Sequence, residues 1–183
     1  AGPGHCVNVR DVSLMQVQAL GACTNVEEIN LASVGATATA SSAYNDLKPA
    51  RAVDLKQFTY WEQAENHRGN LAEATATKQN AWFLLSLKTP QLVGGMSWTC
   101  YTAEWCPTQF EIWAKDPTSG KFKLRFTETD VQLGLRAGRP LVSSSFAPYA
   151  SSDWAIVFTD NAVNGKYWHS IRELSLTKCG DYN

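Results

Sequence analysis

Ile156-Val157-Phe158-Thr159-Asp160, followed by Ser170-Ile171-Arg172-Glu173-Leu174-Ser175-Leu176, decides the fold class of this chain. The second stretch alternates apolar and polar residues, the period of a strand with one buried face. The first reads as another strand at the same end of the chain. Cys179 stands just beyond. The opening of the chain answers with Asn30-Leu31-Ala32-Ser33, Ala40-Ser41-Ser42, Pro49-Ala50-Arg51-Ala52-Val53-Asp54 and Thr59-Tyr60-Trp61, with Cys23 ahead of them. Strands at both ends, each beside a cysteine, point to one β-domain whose termini lie together.

The segments between carry the same signal. Ala36-Thr37-Ala38-Thr39-Ala40 alternates small and β-branched residues, and Tyr44 to Asp54 has turn composition. Glu62 to Gln79 is polar, without strand period, and reads as a long loop with one helical turn. Ala81 to Leu87 is an apolar run that Pro90 is expected to end. Leu92 to Cys100 follows as a separate strand, with a bulge at Gly94-Gly95. Gln109 to Ala114 alternates, Asp116-Pro117-Thr118-Ser119-Gly120 is a turn, and Lys121 to Phe126 has strict period two. Ser143-Ser144-Ser145 reads as a polar loop after Pro140. Trp61, Trp82, Trp98, Trp113 and Trp154 fall on or beside strands and read as packing. Residues 1–28 read as an N-terminal extension in which Val12, Leu14 and Met15 cover the domain or face a partner; residues 29–183 are the domain. Short strands, frequent turns and little helix make this an all-β antiparallel sandwich of jelly-roll type.

With 183 residues the chain is one domain's worth, long enough to bury roughly 70% of its unfolded surface. Aromatic residues make up 11% of it, seven of them Trp, which supplies a core without a metal. The net charge is −1 and no basic stripe is present, so no long-range field draws it to nucleic acid or an anionic membrane. No apolar stretch approaches the roughly 18 residues of a membrane span. The start, Ala1-Gly2-Pro3-Gly4, fits a mature secreted protein or a piece of a longer one. Five cysteines argue for an oxidising compartment. Cys100 and Cys106 are spaced wrongly for a zinc knuckle; a bridge between them contributes about 2 kcal/mol. Joining Cys23 or Cys6 to Cys179 closes nearly the whole chain and contributes about 5 kcal/mol. One thiol remains; Cys6 is the best candidate, available to pair outside this chain.

Four motifs in order resemble the discoidin family, the coagulation factor 5/8 type C domains, over roughly Asn30 to Cys179. Pro49 to Asp54 with Thr59-Tyr60-Trp61 looks like its signature loop. Trp82-Phe83-Leu84-Leu85-Ser86-Leu87 sits at its Trp-Trp-x-x-Asp-Leu run, with Ser86 at the usual acid. Phe110-Glu111-Ile112 and Ile171-x-Glu173-Leu174 also fall in register. The resemblance implies an eight-stranded sandwich whose loops at one end bind sugars, phospholipid head groups or protein ligands outside the cell.

It also implies a structural calcium in the signature loop, held by the carbonyls of Ala50 and Arg51, the carboxylates of Asp54 and Glu173, and Thr59. A hard cation takes six to eight oxygens, which a tight loop with two acids can offer. Leu55 stands where the family has Gly, and Leu resists the positive φ such a loop uses. Without the ion, Asp54 caps the turn and Glu173 pairs with Arg51. For a ligand, the end loops offer Tyr44, Asn45, Glu65, Asn66, His67, Arg68, Glu104, Trp105, Trp168 and His169. Sugar sites combine an aromatic face with amide, guanidinium or carboxylate groups for the hydroxyls. The Arg that galactose-binding relatives carry before the Phe-Glu-Ile strand is missing; Tyr101 to Cys106 fills that loop. Phe58, Tyr60 and Lys56 are too few for a membrane claim. No catalytic motif is present, and Glu111 on its strand reads as an outward salt-bridge residue. The expectation is a secreted or cell-surface binding module, non-catalytic, with glycan as its ligand. The alternative is an adhesive subunit of an extracellular assembly, contacting protein neighbours through Cys6 or the N-terminal extension.

Overall fold

The computed structural model describes residues 26–64, 81–159 and 168–179. They hold nine strands: β1 (Val26–Ile29), β2 (Thr37–Ala40), β3 (Trp61–Glu62), β4 (Ala81–Thr99), β5 (Phe110–Lys115), β6 (Phe122–Glu128), β7 (Gly134–Arg136), β8 (Arg139–Phe158) and β9 (Ser170–Cys179). Every pairing among them is antiparallel. The main path runs β1-β9-β4-β8-β5-β6, with β2 on β4, β3 on β9 and β7 on β8. The fold is an all-β sandwich formed by one antiparallel sheet curled on itself. The first and last described strands of the chain meet: Val26 lies opposite Cys179 and Ile29 opposite Leu176. The expected closure of beginning on end is therefore present. Cys6 and Cys23 lie outside the described residues, as do Val12, Leu14, Met15 and most of the 1–28 extension.

The core follows from the alternation. Along β4, Ala81, Phe83, Leu85 and Leu87 turn inward, joined by Trp98, Phe110, Ile112, Trp154, Ile171 and Leu176 in one cluster. Burying each such aliphatic or phenyl side chain contributes about 2 kcal/mol. Trp61 is fully buried too, and its indole donates to Ser42 O at 2.8 Å. Trp82 and Trp113 belong instead to a second, half-buried cluster over Ala155 and Val157. Glu111 makes no outward ion pair among the described residues; its carboxylate accepts the Trp113 indole N–H at 3.0 Å.

Two boundaries differ from the sequence reading. Pro90 does not end a strand: β4 runs through it, because its ladder with β8 breaks between Ser86 and Gln91, where a missing N–H costs nothing. Ser143, Ser144 and Ser145 are strand residues opposite Ser97, Met96 and Gly95; neighbouring strands overrode their polar composition. The Gly94-Gly95 bulge is present, as a register shift between Val93 and Gly95. A Cβ on Gly95 would meet Ser144 O at 3.0 Å, so a side chain there would have to push the β8 backbone away by a few tenths of an ångström.

Candidate functional site

The loops between strands bring four rings into a row at one end of the sandwich. Tyr60 and Tyr101 stack with centroids 4.6 Å apart, and Tyr101 and Trp105 stack at 4.9 Å. Trp168 meets Trp105 edge-on at 6.0 Å. The row is assembled locally. Tyr60 precedes β3, which pairs with β9 at Trp61–Ile171. Tyr101 follows β4, and its backbone N–H donates to Ser170 Oγ at 2.9 Å. Trp105 ends a one-turn 3-10 segment, Ala103–Trp105, closed by the Cys100–Cys106 disulfide. That disulfide is the one expected from spacing.

Charged groups lie beside the rings. The Arg172 guanidinium sits 5.4 Å from the Tyr60 centroid and 5.3 Å from that of Tyr101. Burial depresses its pKa, and the Arg139 charge adds to this. Burial likewise pushes up the Glu62 carboxyl on β3. The Tyr60 hydroxyl is raised by burial first and then by the Glu62 charge. Aromatic rings, an acceptor and a guanidinium are the groups that hold a polyhydroxylated ring through its apolar patches and its hydroxyls; here both charged groups sit at the base of the row, Glu62 5% and Arg172 8% exposed.

The expected ligand residues divide. Trp105 and Trp168 belong to the row. Tyr44 is exposed on the neighbouring loop, its N–H donating to Glu62 O at 2.9 Å, and Asn45 turns that loop at φ 47°. Glu104 is exposed on the disulfide loop. His169 is no surface contact: it is 1% exposed and stacked on Phe158 at 4.3 Å, drawn inside because it flanks β9. Glu65, Asn66, His67 and Arg68 lie outside the described residues. Tyr60, Tyr101, Glu62 and Arg172 escaped the sequence reading as ligand residues. Only the Tyr-x-x-x-Trp spacing inside the cysteine loop hinted at one of them, since one turn there puts both rings on one side.

The signature loop brings three of its five expected oxygen donors together. Thr59 Oγ1 lies 3.3 Å from Arg51 O, 2.7 Å from Asp54 Oδ1 and 3.0 Å from Lys56 O. Ala50 O instead accepts Val53 N–H at 3.3 Å. Glu173 does not pair with Arg51; its carboxylate faces Arg139 at 3.7 Å. Leu55 adopts φ 59° despite its side chain, because Lys56 N–H is anchored on Asp54 Oδ1 at 3.0 Å. No group of three or more acids, His or Cys that could hold a metal occurs among the described residues, so carbonyl and hydroxyl oxygens would have to supply most of a cation's shell.

No family model matches the chain, and no curated protein does so significantly. Solved structures do. A family 32 carbohydrate-binding module of NanJ from Clostridium perfringens, in complex with galactose, superposes with TM-score 0.64 at 20% identity, covering 84% of this chain and 100% of its own. The fold is that of the family 32 modules. A second module from Clostridium perfringens, in complex with GalNAc-β-1,3-galactose, gives 0.60 at 16% identity, over 82% of this chain and 99% of its own. A chitosan-binding module from a Paenibacillus sp. IK-5 chitosanase/glucanase gives 0.61 at 19%, over 82% and 99%. The discoidin resemblance holds at the level of this shared galactose-binding-like sandwich. No helix among the described residues is long and apolar enough to cross a membrane.

Proposed function

We propose that this chain is an extracellular, non-catalytic module that binds glycans through the loops at one end of its sandwich. The row Tyr60-Tyr101-Trp105-Trp168 carries the reading. Aromatic rings at a loop surface, flanked by Glu62 and Arg172, serve a sugar's CH patches and hydroxyls together. The fold likeness to modules described as binding galactose, GalNAc-β-1,3-galactose and chitosan supports it. The Cys100–Cys106 bridge supports an oxidising compartment. Residues 29–183 are the binding domain in this reading and residues 1–28 its extension, with β1 at the border.

A structural calcium in the signature loop belongs to the same proposal. The Thr59 hydroxyl has one hydrogen and faces three acceptor oxygens, from Arg51, Asp54 and Lys56. Two of those contacts set oxygen against oxygen, a surplus of negative potential that suits a hard cation. Asp54, Thr59 and the Arg51 carbonyl would hold the ion, with Glu173 available if it leaves Arg139. When bound, the ion would supply rigidity to the loop carrying Tyr60. Calcium at a hundred times its Kd is expected to raise stability by about 2.7 kcal/mol, and Asp54→Asn to abolish the gain. A melting temperature indifferent to calcium and EDTA would remove the ion from the account.

A glycan array run with and without chelator tests the whole reading. Clean binding supports the module. Silence, together with an intermolecular disulfide through Cys6 on non-reducing gels, supports the adhesive subunit instead.

A further inference from the structure

Resting on the glycan reading, we propose that the site takes a carboxylated pyranose, a hexuronate unit, whose carboxylate pairs with the guanidinium of Arg172. Arg172 is only 8% exposed, and its Nε is sealed from solvent with no hydrogen-bond partner. The four ion pairs among the described residues join Lys115 to Asp153, Lys123 to Asp116, Arg136 to Glu28 and Arg139 to Glu173. Arg172 takes part in none of them. The Tyr60 and Tyr101 rings offer it π electrons at 5.4 and 5.3 Å, but no side-chain hydrogen bond joins it to an acceptor among the described residues.

A buried charge without a counter-ion is costly, and a guanidinium matches one partner best, a planar carboxylate taken bidentately. The surrounding charges allow an anion to approach. Glu62, with Tyr101 after it, acts on Tyr60 against Arg172 and Arg51, while Arg139 and Glu173 pair with each other. Arg172 thus lies beside the row that would hold the sugar ring, and its terminal nitrogens rather than the sealed Nε would meet a carboxylate on that ring. It lies near the start of β9, and Thr99 Oγ1 fixes its backbone by donating to Arg172 O at 3.0 Å.

Calorimetry on the full chain with a galacturonate trisaccharide and its neutral galactose counterpart tests this. The uronate is expected to bind at least about tenfold more tightly at low salt, the worth of one charged hydrogen-bonded contact, and the preference should shrink as salt rises. Arg172→Gln is expected to reduce it to about parity. Should that variant fail to fold, Arg172→Lys, which keeps the charge without the fork, is expected to lose severalfold of the preference. Equal affinity of the native chain for both trisaccharides overturns the inference and leaves the glycan reading standing. So does a uronate preference that the folded variants retain. Silence toward both sugars and toward a wider glycan panel removes the reading beneath it.

Discussion

Tyr101 stacks on Tyr60 on one side of the row and on Trp105 on the other, so the site's shape depends on single side chains. Trp105 is half-buried. Trp105→Ala is expected to weaken glycan binding at least about tenfold, about 1.4 kcal/mol, with the melting temperature little changed. Affinity that survives in a folded variant would place the ligand elsewhere. Glu62 gives a pH signature. Burial raises its carboxyl pKa above the ordinary 4.5, so the native state binds protons more readily than the unfolded chain. Stability therefore falls as pH rises from about that value through the raised one. Glu62→Gln is expected to melt higher than the native chain at pH 7 and level with it below pH about 4, where both forms are neutral; a gain equal at every pH would contradict this. Trp105 was legible in the sequence because a Trp in a short cysteine loop has few places to go. Arg172 was not: its neighbours Tyr60 and Tyr101 come from distant loops, and no local pattern records their meeting.

The disulfide loop is the element that presents Tyr101 and Trp105, with Cys100 and Cys106 both buried at its base. Replacing both cysteines by Ser is expected to cost about 2 kcal/mol in urea unfolding, the loop-closure value for so short a ring. It should also weaken glycan binding, since the freed 3-10 turn must be ordered by the ligand. Loss of stability without loss of binding would mean that the loop only braces the core. Strand existence was legible wherever alternation was strong, as in β5, β6 and β9. Strand extent was not. The serines at 143–145 carry breaker composition, yet their backbones are positioned by partners on β4, and Pro90 sits at a break in the β4–β8 ladder that lets the strand run on; composition can see neither. Leu55 taught the same lesson in a turn, where a hydrogen bond from Lys56 to Asp54 holds a conformation that Leu disfavours.

For the molecule as a whole, the meeting of β3 with β9 at Trp61–Ile171 and of β4 with β9 at Thr99–Arg172 gathers separate loops at one end, while β1 pairs with the other half of β9, Leu176 to Cys179. That closure could be read from the paired patterns at the two ends of the chain. The identity of the surface it creates could not, because it depends on which rings face one another after closure. Amide NMR mapping during titration with a glycan found on the array tests the central claim most directly. Shifts should concentrate at Tyr44–Asn45, Tyr60–Glu62, Tyr101–Trp105, Trp168 and Arg172. Shifts centred instead on the far end of the sandwich, or on the outer face around Trp82 and Trp113, would contradict it.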